Sequence, residues 1–156
     1  MIYVFDVSAL LTVEYYAPAP EYVFGEMIDM VDDGTVCFCD EVVDELAQFA
    51  RGEWPFVWAK GVMNRRKYRG GGYSTKTLIG RQVQELVDPE ATYESSAPAV
   101  LAQAYDLRAD GLDAYVVTED TMEKPTRIPL AVACTRLRVP SKSVHEFLKA
   151  CNLMDL

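Results

Sequence analysis

The chain has 156 residues, half of them apolar, and carries 24 acidic against 15 basic side chains for a net charge of −9. Length and apolar content fit one packed domain over 1–156 and exclude a disordered chain. No apolar run is long enough to span a bilayer and no basic, apolar leader opens the sequence, so a cytoplasmic protein that does not enter the membrane is expected.

Ile2-Tyr3-Val4-Phe5-Asp6 opens the chain as an apolar run ending in an acid. It predicts a buried strand over 2–6, followed by a helix near 8–14 with Ser8 as its cap. Pro18-Ala19-Pro20 predicts a loop. A helix over 20–32 follows, with Val23, Met27, Met30 and Val31 on one face, and Asp33-Gly34 ends it. Residues 35–39 predict a second strand. Its cysteines, Cys37 and Cys39, share a face. With Cys134 and Cys151 they lack zinc-ligand spacing, so buried thiols in a reducing compartment are expected. Asp40 predicts the cap of a helix to about residue 50, with Val42, Val43, Leu46 and Phe49 turned inward. An aromatic-rich helix begins at Trp54, Gly70-Gly71-Gly72 predicts a flexible loop, and a long helix is expected over 75–87. Pro98 marks a helix over 97–109 with Ala97 at its cap. A strand over 114–118, a helix near 129–136, a short strand near 137–140 and a helix from 143 complete the series. Strands separated by helices imply an α/β fold, a parallel sheet of four to five strands with helices on both faces.

Charge is unevenly spread. Residues 1–50 contain eleven acids and no Lys or Arg; residues 51–81 contain eight bases and one acid. A basic insertion over about 52–81 therefore offers local attraction for a polyanion that the whole molecule would repel. Arg65, Arg66, Lys67, Arg69 and Lys76, interleaved with Tyr68 and Tyr73, are the candidate contacts to nucleic-acid phosphates and unpaired bases, and the family resemblance given below makes that partner RNA. A solvated loop, or a docking surface for an acidic tail, uses the same residues.

Acids recur at the predicted strand ends: Asp6 after the first, Glu119 and Asp120 after the third. Near the second, Glu41 and Glu45 lie four apart on one helical face. Gathered carboxylates repel one another unless a cation lies between them, and oxygen ligands favour Mg²⁺ or Mn²⁺. Such an ion activates water and stabilises the leaving oxygen of a phosphodiester.

Ile2 through Leu11, then Asp40-Glu41-Val42-Val43-Asp44-Glu45-Leu46, then Val116-Val117-Thr118-Glu119-Asp120 resemble a PIN domain in their order and spacing. Trp54 and Arg127-Ile128-Pro129 are similar to one less characterised branch of that family. The resemblance implies a three-layer α/β/α fold and metal-dependent hydrolysis of RNA, leaving a 5′-phosphate and a 3′-hydroxyl. Carried over by position, Asp6, Glu45 and Asp120 match the catalytic, metal-binding acids, with Glu119 as the neighbour that replaces Asp120, and Ser8 matches the supporting hydroxyl. Many members are toxins of bacterial toxin–antitoxin pairs, so an antitoxin partner, its helix seated in a groove, and a homodimer are implied. One family acid is missing. Its position holds Ala97, and the branch's acid after Pro129 is replaced by Leu130. A degenerate site, substitution by Glu94, and an introduced Asp→Ala change are the three accounts of Ala97. A haloacid-dehalogenase phosphatase would need an acid where Ser8 stands. A non-catalytic module that binds RNA or a protein is the other reading. His145, the single histidine, stands in the last helix with no triad around it.

Overall fold

The computed structural model describes residues 1–17 and 19–154. Among them, four short strands, β1 (Ile2–Phe5), β2 (Val36–Cys37), β3 (Ala114–Val117) and β4 (Ser141–Lys142), pair in parallel in the order β2-β1-β3-β4. Eight helices surround them: α1 (Val7–Tyr16), α2 (Pro20–Asp33), α3 (Asp40–Phe49), α4 (Trp54–Val62), α5 (Tyr73–Gln82), α6 (Ala97–Ala109), α7 (Leu130–Arg136) and α8 (Val144–Ala150). The architecture is a three-layer α/β/α fold. Parallel strands covered on both faces read as unbroken apolar runs, and all four residues of β1 are buried.

The strand order decides where a ligand can sit. From β1 the chain leaves toward β2; from β3 it leaves in the opposite direction, toward β4. Right-handed crossovers therefore send α1 and α2 to one face and α6 and α7 to the other. The contacts agree: α1 packs on α2 and α8, while α6 packs on β1, β3 and α7. The switch falls between neighbours β1 and β3, and in open parallel sheets the crevice at the carboxyl ends there is the binding position.

Local signals explain the element ends. The Asp6 carboxylate accepts from the Ala9 amide and caps α1, so the cap is Asp6 and not Ser8. Gly34 closes α2 with φ +87°, a conformation glycine adopts without strain. Ser143 and Glu146 form a reciprocal capping box on α8.

Several expectations need correction. Of the predicted loop at 18–20, Pro18 lies outside the described residues and Pro20 opens α2. Phe49 is exposed and stacks edge-on with Tyr93 rather than facing inward. The Gly70–Gly72 segment is anchored, with the Gly72 amide donating to Asp106. The helix expected over 75–87 ends at Gln82 and a 3₁₀ turn follows over Gln84–Leu86. Ser96, not Ala97, is the cap of α6. The last strand falls at 141–142, not 137–140. Cys37, Cys39 and Cys134 are buried and unpaired, and Cys151 is half-buried. Among the described residues no helix is long and apolar enough to cross a membrane.

Candidate active site

Parallel pairing of β1 with β3 sets Phe5 level with Val117. The next residues on the two strands, Asp6 and Thr118, therefore meet at the switch point. Asp6 is buried, and both of its oxygens accept hydrogen bonds. Oδ1 takes the Ala9 amide and the Ser8 hydroxyl, each at 2.8 Å. Oδ2 takes Thr118 Oγ1 and the Ser8 hydroxyl. Ser8 Oγ also accepts from the Glu119 amide at 2.9 Å, and Thr118 Oγ1 accepts from the Asp120 amide at 3.0 Å. Two hydroxyls thus link the end of β1 to the turn after β3.

Burial pushes the Asp6 carboxyl up to about 6, against the hydrogen bonds that favour its charge, and the Asp120 carboxylate raises it further. The buried Cys134 thiol, on α7, is pushed up to about 12 by desolvation, with both Asp6 and Asp120 adding to the shift. Asp6 and Asp120 therefore share one electrostatic neighbourhood. Glu119 does not join them: its Oε1 accepts from the Val144 amide at 2.8 Å and is turned to the start of α8.

Asp120 has its own cation. Arg127 Nη1 donates to Oδ2 at 2.8 Å and Nη2 to Oδ1 at 3.3 Å, while the Leu130 amide donates to Oδ2 at 3.0 Å. Where the branch of resemblance has an acid, residue 130 contributes a backbone donor. Glu45 reaches across from α3, and its Oε1 accepts from the Ser96 amide at 2.7 Å. It pins the start of α6 and stands one residue from Ala97. Glu94 lines a cavity of about 410 Å³ between α3, α5 and α6, together with Glu41, Lys76 and Pro98. It makes no contact with Asp6 or Asp120 among the hydrogen bonds described.

Carboxylate oxygens are the right donors for Mg²⁺ or Mn²⁺, but the residues present do not complete an ion site. Every oxygen of Asp6 and Asp120 already accepts from the protein, and Ala97 contributes only a methyl group. Among the described residues no three His, Cys, Asp or Glu side chains gather as an ion would require.

The basic segment departs most from expectation. The Arg66 side chain is only 2 % exposed and donates to the carbonyls of Met63 and Phe38 and to Asp40. It cannot meet RNA where it stands, because its donors are spent inside the fold. Arg65 forks onto Asp32, Arg69 donates to the Asn64 carbonyl, Lys67 lies over the Tyr68 ring and Lys76 faces Glu41. Two contributors escaped the sequence reading. Thr118 looked like one more strand residue, and Arg127 stood in a turn with nothing local to pair it with Asp120. A hydroxyl directly after an apolar strand, one residue before paired acids, was the available signal for Thr118.

No protein-family model matches the chain, and no curated protein matches it.

Proposed function

We propose that this fold is a PIN-like endoribonuclease scaffold of the Mg²⁺- or Mn²⁺-dependent class whose ion site lacks one acid. The chain as it stands holds single-stranded RNA at its acidic mouth without cutting it efficiently. One observation carries this reading: Asp6 and Asp120 converge at the switch point of the sheet, held by Ser8 and Thr118, with Glu45 fixed beside Ala97. The same reading makes the chain a cytoplasmic toxin-type protein with an antitoxin partner and a capacity to dimerise.

RNA cleavage with Mg²⁺ or Mn²⁺ tests it, comparing the chain with an Ala97→Asp version, each beside an Asp6→Asn control. Cleavage gained by Ala97→Asp and lost again with Asp6→Asn supports the reading. Equal cutting by both, dependent on Asp6, would show the fourth position to be dispensable. A second reading, a binding module without catalysis, is favoured by the Arg127–Asp120 pair, which already neutralises one acid. It gains if Ala97→Asp binds Mn²⁺ no better than the parent and no version cuts.

A further inference from the structure

We propose that Phe49 and Tyr93 form a stacking platform for one unpaired RNA base beside the acidic mouth. The inference rests on the RNA reading of the neighbouring acids.

Phe49 stands on the last turn of α3 and is 57 % exposed even with Tyr93 packed against it. Tyr93 is 40 % exposed. The ring centroids lie 4.5 Å apart with their planes at 84°, an edge-to-face pair. A phenyl ring covered on both faces loses most of its surface, so Phe49 keeps one face open to solvent.

The pair is continuous with the candidate site. Glu45 and Phe49 are four residues apart, so they share a face of α3 and lie about 6 Å apart along its axis. Glu45 accepts from the Ser96 amide at 2.7 Å, and Phe49 packs on Tyr93, three residues earlier. One helical face thus fixes the segment 93–96 at two points, and Ala97, the position of the missing acid, follows directly. A platform held in place before its ligand arrives binds at a lower ordering cost.

The size of the pair selects its occupant. A single exposed ring is ordinary on a protein surface. Two half-open rings side by side offer about 200 Å², whereas a stable protein interface takes about 800 Å² from each partner. Trp54, the next exposed ring along the chain from Phe49, packs edge-on against Phe24 of α2 instead of extending the pair. A flat, neutral group of nucleobase size fits. A base stacks through its π-face, so the contact adds affinity next to acids that repel phosphates, and it tolerates any base.

Fluorescence anisotropy of the intact chain with a short oligouridine, without added metal, tests this. Phe49→Leu keeps an apolar contact with Tyr93 but removes the π-face. It should lower affinity about tenfold with an unchanged melting temperature. The salt dependence should stay the same, because a ring releases no counterions. Phe49→Trp should bind at least as tightly as the parent. A second measurement uses the parent alone: 2-aminopurine, moved position by position through the oligouridine, should lose emission on binding at one position or more, since stacking quenches it. Parent affinity in Phe49→Leu, an equal loss in Phe49→Trp, or unquenched emission at every position would each overturn the platform. So would a dimer that Phe49→Leu turns into a monomer with RNA binding intact. RNA binding by the parent that Phe49→Leu leaves unaltered removes this inference and keeps the RNA reading. Platform-dependent binding with no cleavage by the Ala97→Asp version removes the nuclease reading alone. No RNA binding by the parent removes both.

Discussion

The Asp6 carboxylate caps α1 and joins the ends of β1 and β3, yet it does so fully buried and beside Asp120. Its pKa of about 6 lies above its ordinary 3.8, so the folded state binds the proton more tightly than the unfolded chain. The stabilisation from this group is complete below about pH 4 and is lost as pH rises through about 6. Asp6→Asn removes the charge while keeping shape and an acceptor for the Ala9 amide. Denaturant melts of the two proteins should therefore match near pH 4 and diverge in favour of the Asn form by pH 7. A parallel course across that range would show that Asp6 ionises normally. Arg127 poses the complementary case, a cation whose fork covers both oxygens of Asp120. An incoming divalent ion must displace it. Arg127→Gln should raise Mn²⁺ affinity about tenfold, read by calorimetry in both the parent and the Ala97→Asp background. A fall in affinity would instead make Arg127 the group that orients Asp120 for the ion.

At the scale of elements, the Gly70–Gly72 segment shows how far a sequence pattern can mislead. Three glycines read as freedom, but the middle one, Gly71, permits close approach. A Cβ on Gly71 would lie 2.8 to 2.9 Å from the backbone of Ala102 and Gln103 on α6. Gly71→Ala should lift the segment from α6 and cost about 1–3 kcal/mol, measured as loss of stability in urea. An unchanged midpoint would show that the segment has room to shift. The legible parts were those fixed by local chemistry: strand, turn and helix alternation, the Gly34 stop, and Asp6 and Asp120 at strand ends. The illegible parts depended on partners distant in sequence. Ala97 looked like a cap because Pro98 follows it, but the chain supplies Ser96 at that position and Glu45, 51 residues away, accepts its amide proton. Phe49 looked inward by helical period, yet it lies on the last turn of α3, where Tyr93 covers one side of it.

Across the whole molecule, the charge asymmetry has a structural use. Residues 1–50 hold eleven acids and no base, and 51–81 hold eight bases and one acid. The fold lays the second segment on the first: Arg65 pairs with Asp32, Arg66 with Asp40 and Lys76 with Glu41. Three of the eight bases thus offset the repulsion among the acids of the N-terminal part, and fewer are left to attract a polyanion. Lys76 borders the cavity of about 410 Å³ beside α5, and Lys124 and Arg127 border a second one of about 590 Å³ that shares Val87 with it. If single-stranded RNA lies there, neutralising about three phosphates, the logarithm of the binding constant should fall against the logarithm of salt with a slope of roughly −2. Arg65→Ala should leave that slope unchanged, since its guanidinium is committed to Asp32. A slope of about −5 or steeper, reduced by Arg65→Ala, would instead mean that the segment over 60–81 releases its internal pairs and grips the RNA backbone directly. Fluorescence anisotropy with a short unstructured oligonucleotide over a range of KCl concentrations separates the two outcomes.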